Sequence, residues 1–80
     1  MTEKVDIAIG IVIRRLRDTK CISQEELSFA ADLHRTYISQ LERGLKSITV
    51  KSLFKLTSAL EIELNNFMIL VKDEIEKLPN

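Results

Sequence analysis

Tryptophan is absent from the 80 residues, and proline, cysteine and histidine occur once each. The lone Cys21 excludes an internal disulfide. With a single histidine beside it, there is no set of residues for a zinc site. Two glycines in total leave no glycine-rich phosphate loop. No uninterrupted apolar run is long enough to span a bilayer. The N-terminus lacks the order of a signal peptide, because Asp6 interrupts the approach to the apolar run and no small-residue cleavage site follows. The reducing cytoplasm is the expected compartment. Glu25 and Glu26 read as exposed helix-start residues rather than a buried acid–base pair, and His34 sits at a helix start, where a cap or a polyanion contact is the expected use. These absences argue against an enzyme and against a bound cofactor or metal.

A single small domain, residues 1–80, is what the length allows, near the size where one core leaves modest stability and oligomerisation is a common remedy. Net charge is zero, but the charges are segregated. Residues 33–55 hold Arg35, Arg43, Lys46, Lys51 and Lys55 against Glu42, which is 5 − 1 = +4. Residues 61–80 hold Lys72 and Lys77 against Glu61, Glu63, Asp73, Glu74 and Glu76, which is 2 − 5 = −3. A basic middle and an acidic tail give one face that attracts polyanions and one that repels them.

The pattern is helical almost throughout, which makes the expected class all-α with five helices. In "VDIAIGIVIRRLRDTK" the isoleucines 7, 9, 11 and 13 alternate as in a strand, yet Val5, Ile9, Val12 and Leu16 keep helical spacing and the segment runs into strong helix formers. "SQEEL" places Ser23 as N-cap with Glu26 three residues on, a capping box. That second helix runs to about Ala31, where Asp32 tolerates a left-handed corner and Leu33 plugs it. A third helix spans roughly Arg35 to Arg43 and stops at Gly44. Thr49 is an N-cap candidate for "VKSLFKLTSALE", and "ELNNFMILVKDEIEKL" supplies a broad apolar surface for a terminal helix, about residues 63–78. Ile38 and Leu41 are expected to point inward against Leu27, Leu33 and Leu53.

Two short helices joined by a tight corner, over residues 23–43, have helix-turn-helix spacing, in which the second helix lies in the DNA major groove. "SQEELSFAADLHRTYISQLERGLKSITVKSLFKLTSALEI", with "IRRLRDTK" before it, resembles the Cro/lambda-repressor type of helix-turn-helix domain. Its "LHRTYIS" and "LERG" stretches are most similar to the controller proteins of restriction–modification systems, which are small homodimeric transcription regulators. The resemblance covers roughly residues 11–64 by motif. It implies a lambda-repressor-like fold and a palindromic double-stranded operator read by a homodimer.

The resemblance also implies roles. Gln24 matches a glutamine that hydrogen-bonds a DNA phosphate at a helix N-terminus. Arg35, Thr36 and Gln40 match base-reading positions; arginine can fork onto guanine O6 and N7, and residues 36 and 40 lie one turn apart. Tyr37 and Ser39 could join them, Tyr37 being equally suited to packing beside the next helix. Arg43, Lys46, Ser47 and Lys51 fall where residues clamp the backbone without reading sequence, while Lys55 reads as a solvated lysine. Arg17 and Glu42 match a structural ion pair between the first and third helices. Glu25 matches a position that touches RNA polymerase in activating relatives, the alternative being that both Glu25 and Glu26 only serve the helix start.

Departures from the family pattern are Cys21 and Asp32, where glycine is frequent, and Ile48 in place of proline. Phe29 falls on an outward face, either packing against the first helix or supporting a phosphate-contacting side chain. Leu64, Phe67, Met68, Leu70, Val71 and Ile75 exceed what one helical stripe needs, so a two-fold interface is expected over Leu64, Phe67, Met68 and Val71, centred on Phe67 and Met68. Rival readings are a phage- or plasmid-type repressor, or an antitoxin whose last helix grips a partner protein. Only "KLPN" follows that helix, whereas an antitoxin usually carries a longer arm, and self-association is favoured.

Overall fold

The computed structural model describes residues 3–79 and contains α1 (Lys4–Thr19), α2 (Gln24–Ala31), α3 (Arg35–Glu42), α4 (Val50–Ala59) and α5 (Leu64–Lys77), with no strand among the described residues. The isoleucine-rich segment is helical. Its buried residues Ala8, Ile9, Val12 and Ile13 recur with the helical period, leaving Ile7 and Ile11 at the edges of the stripe. Gly10 is the reason α1 can lie against α3. A Cβ there would sit 2.3 Å from the carbonyl oxygen of Leu41 and 2.8 Å from that of Glu42.

Every helix–helix corner uses the same device. Cys21, Asp32, Gly44 and Glu61 have φ of 58°, 54°, 72° and 57°, the left-handed region. The residue after each one, Ile22, Leu33, Leu45 or Ile62, donates its N–H back to the carbonyl of Arg17, Ser28, Gln40 or Thr57. This is the Schellman arrangement with an apolar residue behind the left-handed one. Gly44 thus stands one residue beyond the cap, Arg43, and α3 ends at Glu42. The helix starts are equally explicit. Ser23 and Glu26 form the capping box, His34 Nδ1 accepts from the Thr36 N–H at 3.1 Å, and Thr49 Oγ1 accepts from the Ser52 N–H at 3.1 Å.

α1 lies against α5 and α3, and α2 against α3 and α4. The core between them holds Ile13, Leu27, Ile38, Leu41, Leu56 and Phe67, with Leu33 and Leu53 packed at its margin. Here the expected dimer face needs correction. Phe67 and Val71 are 0% and 1% exposed within the single chain. They are core residues, because α5 turns that side toward α1. Met68 and Ile69 are the exposed large apolar residues of α5, and Leu64 and Leu70 are half-buried. Phe29 lies on an outward face as expected, and at 83% exposure it does not pack against α1, the first of the two roles open to it.

Candidate nucleic-acid interface

Ile38 and Leu41 anchor one side of α3 in the core, which fixes what the other side presents. Arg35 and Thr36 are exposed, and Ser39 and Gln40 are half-exposed one turn on. The side chains of Arg35, Ser39 and Gln40 make no hydrogen bond or ion pair within the described residues. Polar groups are thereby held on a rigid helix with their hydrogen-bonding capacity unspent. Tyr37 differs. It is half-buried, and its hydroxyl accepts from the Thr49 N–H at 3.3 Å, which ties α3 to the start of α4.

Lys72 and Lys77, on the acidic α5, are exposed with no carboxylate within 4 Å among the described residues; Lys4 aside, the other cations fall into two groups. Arg14, Arg15, Arg17, Lys20 and Lys55 each lie within 4 Å of a carboxylate, on Asp18, Glu74, Glu42, Glu61 and Asp32 respectively. Lys55 therefore belongs with the paired group and is not simply solvated. Arg35, Arg43, Lys46 and Lys51 are exposed and have no such partner among the described residues. These four lie on α3, in the α3–α4 loop and in the first turn of α4. Unneutralised positive charge is thus concentrated beside the outward face of α3, as phosphate binding requires.

Arg17 and Glu42 form a bidentate pair, Nε to Oε2 at 2.7 Å and Nη2 to Oε1 at 3.0 Å, with side chains 13% and 4% exposed. The hydrogen bond to Glu42 raises the Arg17 pKa against the opposing effect of burial, which favours the charged guanidinium. Gln24 joins this pair, its Nε2 donating to Glu42 Oε1 at 3.0 Å. Sequence reasoning places Gln24 and Glu42 in separate roles and misses the bond, because the residues lie 18 positions apart on different helices. It also misses Asp6, whose carboxylate accepts from Ser47 Oγ at 3.1 Å and so occupies one of the expected backbone-clamp residues from α1. The two glutamates of α2 separate as well. Glu26 accepts from the Ser23 N–H at 2.9 Å, whereas the exposed Glu25 carboxylate has no partner among the described residues.

Comparison with known proteins agrees with the helix-turn-helix fold. Residues 13–67 match a family described as Helix-turn-helix. The control protein C.BamHI of Bacillus amyloliquefaciens is 39% identical over 64 residues, which is 79% of either chain. The crystal structure of the restriction–modification controller protein C.AhdI from Aeromonas hydrophila superposes with a TM-score of 0.75 at 35% identity, covering 78% of this chain and 94% of that one. The tetramer of the controller protein C.Esp1396I, in complex with its natural 35 base-pair operator, superposes with a TM-score of 0.84 at 34% identity over 91% of this chain and 96% of that one.

Proposed function

This chain belongs to the helix-turn-helix family, and within it to the group that contains the restriction–modification control proteins; on that premise we propose that it is a sequence-specific transcription regulator of a restriction–modification system. It acts in the cytoplasm as a homodimer that lays one α3 helix in each of two successive major grooves. The half-sites are then related by the dimer axis and lie about 10 bp apart, centre to centre. Arg35, Thr36 and Gln40 read base edges. Arg43, Lys46 and Lys51 hold phosphates, with Gln24 doing so from the start of α2.

The observation that carries this reading is the division of the polar groups. Those near the core are spent on one another, while those on the outward face of α3 and beside it are not. Ser47 contributes less directly, since its hydroxyl proton is committed to Asp6. Tyr37 remains compatible with DNA, because its hydroxyl accepts from Thr49 and keeps its own proton to donate. Controller activity also asks for contact with the transcription machinery, and Glu25 on the exposed side of α2 is the residue proposed to meet RNA polymerase.

Selection of bound duplexes from a randomised pool tests the reading. The expected product is a single inverted repeat with half-sites one helical turn apart. Failure of any sequence to be enriched would remove sequence-specific binding from consideration.

A further inference from the structure

The amide of Gln24 is a group whose two ends differ chemically, and only one end suits a phosphate. Nε2 carries two protons, whereas Oε1 only accepts. A phosphate also only accepts, so a glutamine turned the wrong way presents oxygen to oxygen and repels. A free side chain on the first turn of a helix has no reason to prefer one orientation.

In this chain the orientation is imposed. Gln24 Nε2 donates to Glu42 Oε1 at 3.0 Å, and a carboxylate offers nothing that the amide oxygen could accept. Glu42 is itself immobilised by Arg17 through both of its oxygens, and Arg17 Nη1 is anchored on the Ile22 carbonyl at 2.9 Å. The chain of contacts therefore runs from the α1–α2 corner through α1 and α3 to the start of α2. One proton of Nε2 is used. The other has no partner among the described residues, and Gln24 is half-exposed. The Arg17 charge offsets that of Glu42, so an approaching phosphate does not meet an uncompensated carboxylate.

We propose that Glu42 is a positioning residue for DNA binding: it turns the Gln24 amide so that the remaining Nε2 proton, and not Oε1, is presented to a backbone phosphate. This rests on the proposed function, in which the start of α2 lies against the DNA backbone. It gives the ion pair a second task beside holding α1 to α3.

The variant Glu42→Gln separates the two tasks. An amide in place of the carboxylate offers both a donor and an acceptor, so Gln24 can pair with it in either orientation. A merely structural Glu42 would lower the melting temperature in this variant and leave the worth of Gln24 unchanged in the folded protein. Affinity for the selected operator and for a scrambled duplex is measured for the parent, Gln24→Ala, Glu42→Gln and the double variant, at a temperature where circular dichroism shows all four folded. With Glu42 present, Gln24→Ala is expected to weaken binding about tenfold on both duplexes, the scale of one hydrogen bond to a charged group. In the Glu42→Gln background the same change is expected to cost less than about threefold, because part of that bond is already gone. Equal costs in the two backgrounds overturn the proposal.

Should Glu42→Gln not fold, the parent protein labelled with 15N-glutamine answers the question by NMR. In the free protein one Nε2 proton of Gln24 is expected to be protected from solvent exchange, and on adding operator duplex the other is expected to shift. Two protons that exchange alike and move together overturn the proposal. A parent that binds neither duplex sinks the proposed function itself; a parent that binds while the Gln24 protons behave alike sinks only the positioning.

Discussion

Single atoms decide how α1 meets α3, and Gly10 shows the margin. A methyl group at this position would be placed within 3 Å of two backbone oxygens, which cannot swing aside as a flexible side chain could. Gly10→Ala is therefore expected to destabilise the fold by about 1–3 kcal/mol, the usual cost of overpacking, although alanine is the better helix former. An unchanged urea midpoint would show that α1 shifts freely. At the same scale, base readers and backbone clamps must fail differently. Arg35→Ala is expected to weaken operator binding by about 1–3 kcal/mol per half-site while random DNA is affected much less. Lys46→Ala removes charge without sequence information, so operator and scrambled duplex weaken alike. The slope of log affinity against log salt then shrinks by roughly one unit for each phosphate no longer held. Titration of both variants at several salt concentrations checks the pair, and equal weakening on the two duplexes for Arg35→Ala would make it a clamp, passing base reading to Thr36 and Gln40.

Helices are where the sequence is most legible, and the reasons are local. Ser23 with Glu26, Thr49 before an apolar repeat, and Gly44 after α3 each act within a few residues, so their effect follows from spacing alone. Asp32 is readable for the same reason, whereas Glu61 gives no signal: a glutamate in the left-handed region is chosen by the corner and not by its own preference. Its carboxylate is held by Lys20 at 2.6 Å, and that hydrogen bond lowers its pKa. What spacing cannot supply is partners between helices, which is why the Gln24–Glu42 and Ser47–Asp6 bonds emerge only from the fold. The division of the α2 glutamates is of this kind too. Glu26 is consumed by the capping box and Glu25 is not, so the two are expected to behave differently on transcription. Glu25→Ala should retain operator binding and lose stimulation of RNA polymerase in a purified assay, while equal stimulation by parent and variant would reduce Glu25 to a charge at a helix start.

Across the whole molecule, the proposed dimer requires an apolar surface that one chain gives to another. The composition of α5 shows too many large apolar residues for one stripe, and that excess is real, but period alone cannot decide which of two overlapping stripes faces inward. The fold decides it by placing Phe67 and Val71 against the core. That leaves Met68 and Ile69, 39% and 57% exposed, as the apolar residues that α5 still offers. Fully burying a large apolar side chain is worth roughly 1.5–3 kcal/mol, and a two-fold contact buries each residue twice, once from each chain. Together with Leu64 and Leu70 at its edges, this pair is the proposed centre of the dimer. Met68→Lys combined with Ile69→Lys places charge on both sides of the axis and should give a monomer in sedimentation at micromolar concentration. Since neither residue supports the core, circular dichroism should still show a folded helical domain. Binding to a single half-site should then persist while binding to the full palindrome loses its tightness. A dimer that survives the double substitution would move the two-fold axis to α4. There Val50 and Phe54 are exposed one turn apart, and Phe54→Lys would be the substitution that separates the chains.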